Sequence, residues 1–341
     1  MDQISPKERL LRKLYKKDVD RNPVICPGGM MNAAIVDVMK ERGHILPEAH
    51  SDYELMSSLA ADVHELTGFE NYGLPFCMTV EAEVLGSEID FGTLECEPKI
   101  EKERFAHSAD VVQKDIQGML KEGRIGVLTE AAYRLSKKDS DVPVIGSLTG
   151  PISTADSIVD PMTFLKELKK DPENANRVLD YVTDFLIAYA IQLLDNGADL
   201  ISIADPTATG EILGPRMFRT YAVTYLNKLI DAIHGYKDSR VIVHICGNCN
   251  YVWDDIPKLR ADAISTDAMV SLRKLKEDYP ELVTMGNLST YTLQFSEPEK
   301  VRQSAEILIN TGIDILAPAC GLSTSSALEN LQAFTGTVKA Q

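Results

Sequence analysis

Eight short apolar runs, rich in β-branched residues and mostly separated by helical stretches, constrain the fold of this chain more than any other feature. They begin near residues 24, 72, 142, 199, 241, 263, 282 and 313. From Val142 onward the alternation is regular. The runs at 142–148, 199–204, 241–246, 263–266, 282–285 and 313–317 are mostly apolar and read as buried strands alternating with helices. A helix is expected over 174–195, with Asp171 as its cap and Pro172 in the first turn, where a missing N–H costs nothing. Helices near 215–235 precede the run at 241. Ser296-Glu297-Pro298-Glu299 reads as a capping box opening a helix that stops at Gly312. Eight buried strands alternating with helices predict an α/β fold, a (β/α)8 TIM barrel, with residues 1–341 forming one domain.

The first half is less regular. Helices are expected over 6–16, 51–68, 108–121 and 126–137, and the segment 80–140 reads as an irregular excursion with a small hairpin near 89–94. Asp62-Val63-His64 with Gly68 comes close to an Asp-x-His-x-x-Gly corrinoid-ligand signature. Gly68 stands one place late, however, and the segment lies inside a helical stretch. It is read as a solvated helix face, and the chain is expected to carry no corrinoid of its own.

The 51 acidic residues against 35 basic, a formal net charge of −16, argue against a nucleic-acid partner or an anionic membrane surface. No apolar run approaches the roughly 20 residues of a membrane span, and the N-terminal residues lack the apolar core of a signal peptide. Six cysteines scattered through a long chain fit a reducing, cytoplasmic setting and metal or thiol chemistry better than a disulfide framework.

In a (β/α)8 barrel the active site lies at the carboxyl ends of the strands. Asp205, His244, Cys246, Asp267, Asn287 and Cys320 all fall there. In extended backbone His244 and Cys246, two residues apart, point the same way. Barrel closure lets them converge with the distant Cys320, giving three ligands and one open position, the pattern of a catalytic zinc site. Two thiolates and a neutral imidazole cancel the charge of Zn²⁺. Such a metal is a weak Lewis acid towards carbonyls but holds an incoming thiol as its thiolate, so alkylation of sulfur is the natural reaction. Asp267 is either a displaceable fourth ligand or a hydrogen-bonded strand-end aspartate. Cys249 completes a Cys-x-x-Cys spacing with Cys246 that also reads as a redox motif, although no thioredoxin-like unit surrounds it.

The fragments VHICGN (243–248) and LAPACGLS (316–323) resemble the zinc motif of the methylcobamide:coenzyme M methyltransferases, members of the uroporphyrinogen decarboxylase superfamily of (β/α)8 barrels. RNPVICPGGMMN (21–32), LPFCMTVEAEVLG (74–86), GSLTGPIS (146–153) and ADLISIADPTATGEILGP (198–215) extend the resemblance over nearly the whole chain. It implies His244, Cys246 and Cys320 as zinc ligands, with Asp267 where the family places a carboxylate, often Glu, that occupies the metal before the thiol arrives. The implied reaction is attack of coenzyme M thiolate on a methyl-Co(III) corrinoid, giving a thioether and Co(I), a step of methanogenesis. The corrinoid sits on a separate small protein that docks at the barrel mouth. Glu81, Ser153, Asp205 and Asn287 are implied substrate contacts by motif position, and the turn 150–153 offers backbone N–H groups to a sulfonate.

Other functions stay open at this stage. A porphyrinogen decarboxylase needs arginines near its N-terminus, and Pro27-Gly28-Gly29-Met30-Met31-Asn32 contains no basic residue. The same metal and corrinoid serve a demethylase of a small methylated substrate, or an enzyme using another thiol or a folate acceptor. A non-enzymatic corrinoid-docking scaffold locked by zinc is a further alternative.

Overall fold

The computed structural model describes residues 4–341. Seven parallel strands form one curled sheet: β1 (Tyr72–Leu74), β4 (Val144–Thr149), β5 (Leu200–Ala204), β6 (Arg240–Ile245), β7 (Ala263–Thr266), β8 (Thr284–Leu288) and β9 (Ile315–Pro318), paired in that order. β2 (Glu88–Asp90) and β3 (Lys99–Lys102) make a separate antiparallel hairpin within the excursion. The run at 24 closes the barrel between β9 and β1, reduced to a single bridge from Val24 to Leu316. Ile25 N–H donates to Leu316 O at 3.0 Å, and Glu70 N–H donates to Val24 O at 2.8 Å. Pro23 and Pro27 bracket this run and deny it a longer ladder. The Asn71 amide then stands in for a strand peptide, accepting from Cys26 N and donating to Cys26 O, both at 2.9 Å.

Helices pack outside the barrel, and the strand interiors from β4 to β9 are fully buried. The long helix Pro172–Asp195 starts as the sequence predicts, with the Asp171 carboxylate accepting from Asn174 N and Pro172 in the first turn. Helix Pro161–Lys170 uses the same device, Asp160 accepting from Thr163 N ahead of Pro161.

Three local expectations are corrected. The helix over 108–121 is not formed: only a 3₁₀ turn at Ser108–Asp110 and a single turn at Ile116–Met119 appear. Arg177 explains this, because its guanidinium donates to the carbonyls of Ser108, Ala109 and Val111, acceptors that a helix would have used itself. Ser296 does not cap the helix Pro298–Asn310. It ends the preceding helix Thr290–Phe295, and its carbonyl accepts from the Asn330 amide. The segment around Asp62 and His64 is no solvated face, since Asp62 is buried against His44 Nδ1 at 2.6 Å. His64 Nδ1 lies 2.6 Å from Phe69 O, with its ring edge-on to Tyr72. Among the described residues no helix is long and apolar enough to cross a membrane.

Candidate metal centre

β6 is an extended β-branched strand, so its last inward side chain, His244, and Cys246 just beyond it share one face. β9 delivers Cys320 to the same end of the barrel, where Ala319 N–H donates to Leu288 O at the end of β8. His244 Nε2 lies 3.1 Å from Cys246 Sγ, and Cys246 Sγ lies 3.9 Å from Cys320 Sγ. The three ligand atoms all fall within 4.8 Å of one another. Tetrahedral zinc with bonds of about 2.3 Å to sulfur and 2.0 Å to nitrogen needs donor separations of roughly 3.5–3.8 Å, so the donor set fits.

The imidazole is oriented from behind. His244 pairs in register with Ser265 of β7, and Nδ1 lies 2.9 Å from Ser265 Oγ, with both residues fully buried. With Nδ1 as donor, Nε2 presents its lone pair to the thiols. Cys246 and Cys320 titrate as a pair. The hydrogen bond from Cys246, with help from His244, holds the Cys320 thiol low, and the same bond together with burial pushes Cys246 up.

Cys249 does not join them. Gly247, at φ 67°, turns the chain beside Glu211, and Cys249 Sγ points back to Ile245 O at 3.8 Å. Burial pushes its thiol up to about 12, which makes it an inert core thiol rather than half of a redox pair. Asp267 also stands outside the cluster: its Oδ1 accepts from Met269 N at 3.3 Å and its carbonyl from Asn287 Nδ2 at 2.8 Å. Asn287 donates to Val270 O as well, tying down the loop after β7.

The remaining mouth residues are engaged with the protein itself. Asp205, fully buried, accepts from Ile152 N (3.0 Å), Ser153 N (2.9 Å) and Ser153 Oγ (2.6 Å). The expectation that the turn 150–153 offers free N–H groups to a sulfonate is thereby overturned, because an internal carboxylate already occupies them. Glu81 is buried and accepts from Thr149 N (2.8 Å) and Thr149 Oγ1 (3.1 Å). Burial pushes its carboxyl up to about 7.

Sequence reasoning missed two residues beside the cluster, Ser265 and Met30, whose Sδ lies 3.4 Å from Cys246 Sγ. A lone hydroxyl in the apolar run Ala263-Ile264-Ser265-Thr266 is the signal for the first. For Met30 no sequence signal separates it from a core methionine.

The family model for uroporphyrinogen decarboxylase matches residues 5–341. A curated relative from Methanosarcina acetivorans, methylcobamide:CoM methyltransferase MtbA, is 34% identical, covering 99% of this chain and 99% of its own. Methylcobamide:CoM methyltransferase MtaA from Methanosarcina barkeri is 33% identical over 98% of this chain and 97% of its own. A solved methyltransferase from Methanosarcina mazei superposes with a TM-score of 0.91 at 32% identity, covering 99% of both chains. A parallel barrel with its polar strand ends at one mouth, and full-length identity at this level, lead to one conclusion: the chain belongs to the uroporphyrinogen decarboxylase family, in its branch of methylcobamide:coenzyme M methyltransferases.

Proposed function

We propose that this methyltransferase moves a methyl group from a methyl-Co(III) corrinoid, carried on a separate small protein, to the thiol of coenzyme M, with zinc held by His244, Cys246 and Cys320. The observation that carries the reading is the convergence of one imidazole and two thiols within 4.8 Å at the carboxyl ends of β6 and β9. Bound zinc supplies a site at which an incoming thiol loses its proton at neutral pH and keeps a nucleophilic sulfur. The chain's own residues do the rest. Ser265 fixes the His244 tautomer. Asp205 closes the turn at 150–153, and Asn287 holds the loop after β7.

A methyl donor of corrinoid size has to be met at the mouth. Of the 11 exposed large apolar side chains among the described residues, five lie on the loops and helices that follow four consecutive strands: Ile212 after β5, Tyr251 after β6, Met269 after β7, Tyr291 and Phe295 after β8. Such a rim supports docking of a carrier protein. Porphyrinogen decarboxylation is disfavoured because the turn that follows Cys26 brings a thioether, not an arginine, to the site.

Coenzyme M added to free methylcobalamin with the zinc-loaded protein is expected to give methyl-coenzyme M and Co(I), followed by the change in corrinoid absorbance. No demethylation above the protein-free rate, with one zinc per chain present, removes this reading. Methyl transfer to the corrinoid from a small methylated compound, but not from the corrinoid to coenzyme M, would favour the reverse-direction enzyme.

A further inference from the structure

Three donors surround Cys246 Sγ, not two. Besides His244 Nε2 at 3.1 Å and Cys320 Sγ at 3.9 Å, the thioether Sδ of Met30 lies at 3.4 Å. All three separations are within a few tenths of an ångström of the roughly 3.5–3.8 Å edges of a tetrahedral zinc site.

The position of Met30 is built into the fold. Residues 28–31 form a tight turn in which Gly28 N–H donates to Met31 O and Met31 N–H to Gly28 O. Gly28 (φ 106°) and Gly29 (φ 58°) adopt backbone that side chains avoid. A Cβ on Gly28 would lie 2.6 Å from Leu74 N, and one on Gly29 2.9 Å from Ser147 Cβ, so the turn is wedged onto β1 and β4. Its other side meets the residue after Cys320: a Cβ on Gly321 would lie 2.6 Å from Met30 O. Met30 is thus held in a turn packed against Gly321, half-buried, with its sulfur 3.4 Å from Cys246 Sγ. Asp267, the residue the family resemblance offers for the fourth position, lies outside the group of donors within 4.8 Å of one another and accepts from Met269 N through Oδ1.

We propose that the Met30 thioether is the fourth, displaceable ligand of the metal site, occupying the position that the substrate thiol takes over. This rests on the zinc reading above. A neutral thioether is a weak donor beside two thiolates, which suits a place-holder. On exchange the thiol S–H bond breaks, its proton leaves to solvent, the thiolate sulfur takes the position and the intact thioether withdraws. No redox change is involved. Met30 keeps water and adventitious ligands out until substrate arrives, and it competes with substrate while bound. If it occupies the position roughly nine-tenths of the time, removing it tightens apparent thiol affinity about tenfold.

The test uses full-length protein produced with selenomethionine, loaded with one zinc and measured by X-ray absorption at the zinc edge. A selenium neighbour is expected in the zinc shell of the thiol-free protein, absent in M30L and lost from the unsubstituted protein when coenzyme M is added. M30L should also bind coenzyme M about tenfold more tightly in a calorimetric titration. No selenium neighbour in thiol-free protein overturns the proposal. A selenium neighbour that persists under saturating thiol overturns it too, by making Met30 a permanent ligand. The zinc reading stands or falls separately, on whether zinc binds and whether a sulfur from coenzyme M enters its shell in M30L, where no thioether competes.

Discussion

Replacing Ser265 by alanine removes the hydrogen-bond partner of His244 Nδ1 and a long 3.9 Å contact to Met31 Sδ. The consequence differs between the two states of the protein. Without metal, the imidazole can place its proton on Nε2, towards the thiols 3.1 Å away, and Nδ1 becomes an unprotonated acceptor. With metal bound to Nε2, the proton must sit on Nδ1, facing an alanine methyl in a fully buried position. A buried donor without a partner costs about 1–3 kcal/mol, and most of that falls on the loaded form. Zinc affinity should therefore fall by roughly tenfold to a hundredfold, at about 1.4 kcal/mol per tenfold. Competition against a chromogenic chelator gives the zinc dissociation constant directly. Ser265→Thr, which keeps a hydroxyl on a strand position that suits a β-branched residue, should recover most of the loss. If Ser265→Ala binds zinc within twofold of the unsubstituted protein, Ser265 does not orient the ligand and the assignment of Nε2 as the metal-facing nitrogen loses its support.

Cys320→Ala is expected to lose stoichiometric zinc, whereas Cys249→Ala keeps it, because Cys249 points at Ile245 O; metal analysis after gel filtration checks both, and equal losses would make Cys249 a ligand. Glu81 carries a carboxyl raised from 4.5 to about 7 by burial, so the folded protein binds a proton there that the unfolded chain has released. Its contribution to stability is fully present below about pH 4.5 and is lost as pH rises to about 7. Melting temperatures of Glu81→Gln should lack that part of the decline, and parallel pH profiles for the two proteins would show that Glu81 does not titrate there. Arg177→Ala frees three carbonyls in the segment 108–111. Amide exchange over residues 108–119 should quicken about tenfold, for roughly 1–2 kcal/mol lost, while barrel strands keep their protection; unchanged exchange would mean that the guanidinium does not hold the excursion.

The strand runs and several helix starts were legible in the sequence because they are local. Periodicity places β4 to β9, and Asp171-Pro172 announces the helix that follows with chemistry confined to four residues. His244 and Cys246 were legible for the same reason, since alternation along one strand puts both on one face. Cys320 became a partner once the strands were counted into a barrel, an inference about closure that the parallel order of β1 and β4 to β9 supports.

Tertiary structure alone decided who answers whom across long stretches of chain. The turn 150–153 reads as an open anion site until Asp205, 52 residues beyond Ser153, fills it. The segment 108–121 reads as a helix until Arg177 takes its carbonyls. Met30 reads as one methionine among 11 until a glycine turn and barrel closure set its sulfur against Cys246, 216 residues away. The local pattern of a sequence reports which backbone groups and side chains want partners. Only the packed barrel determines which donor satisfies each acceptor, because that choice is made by distance in space, and distance in space follows from closing the sheet.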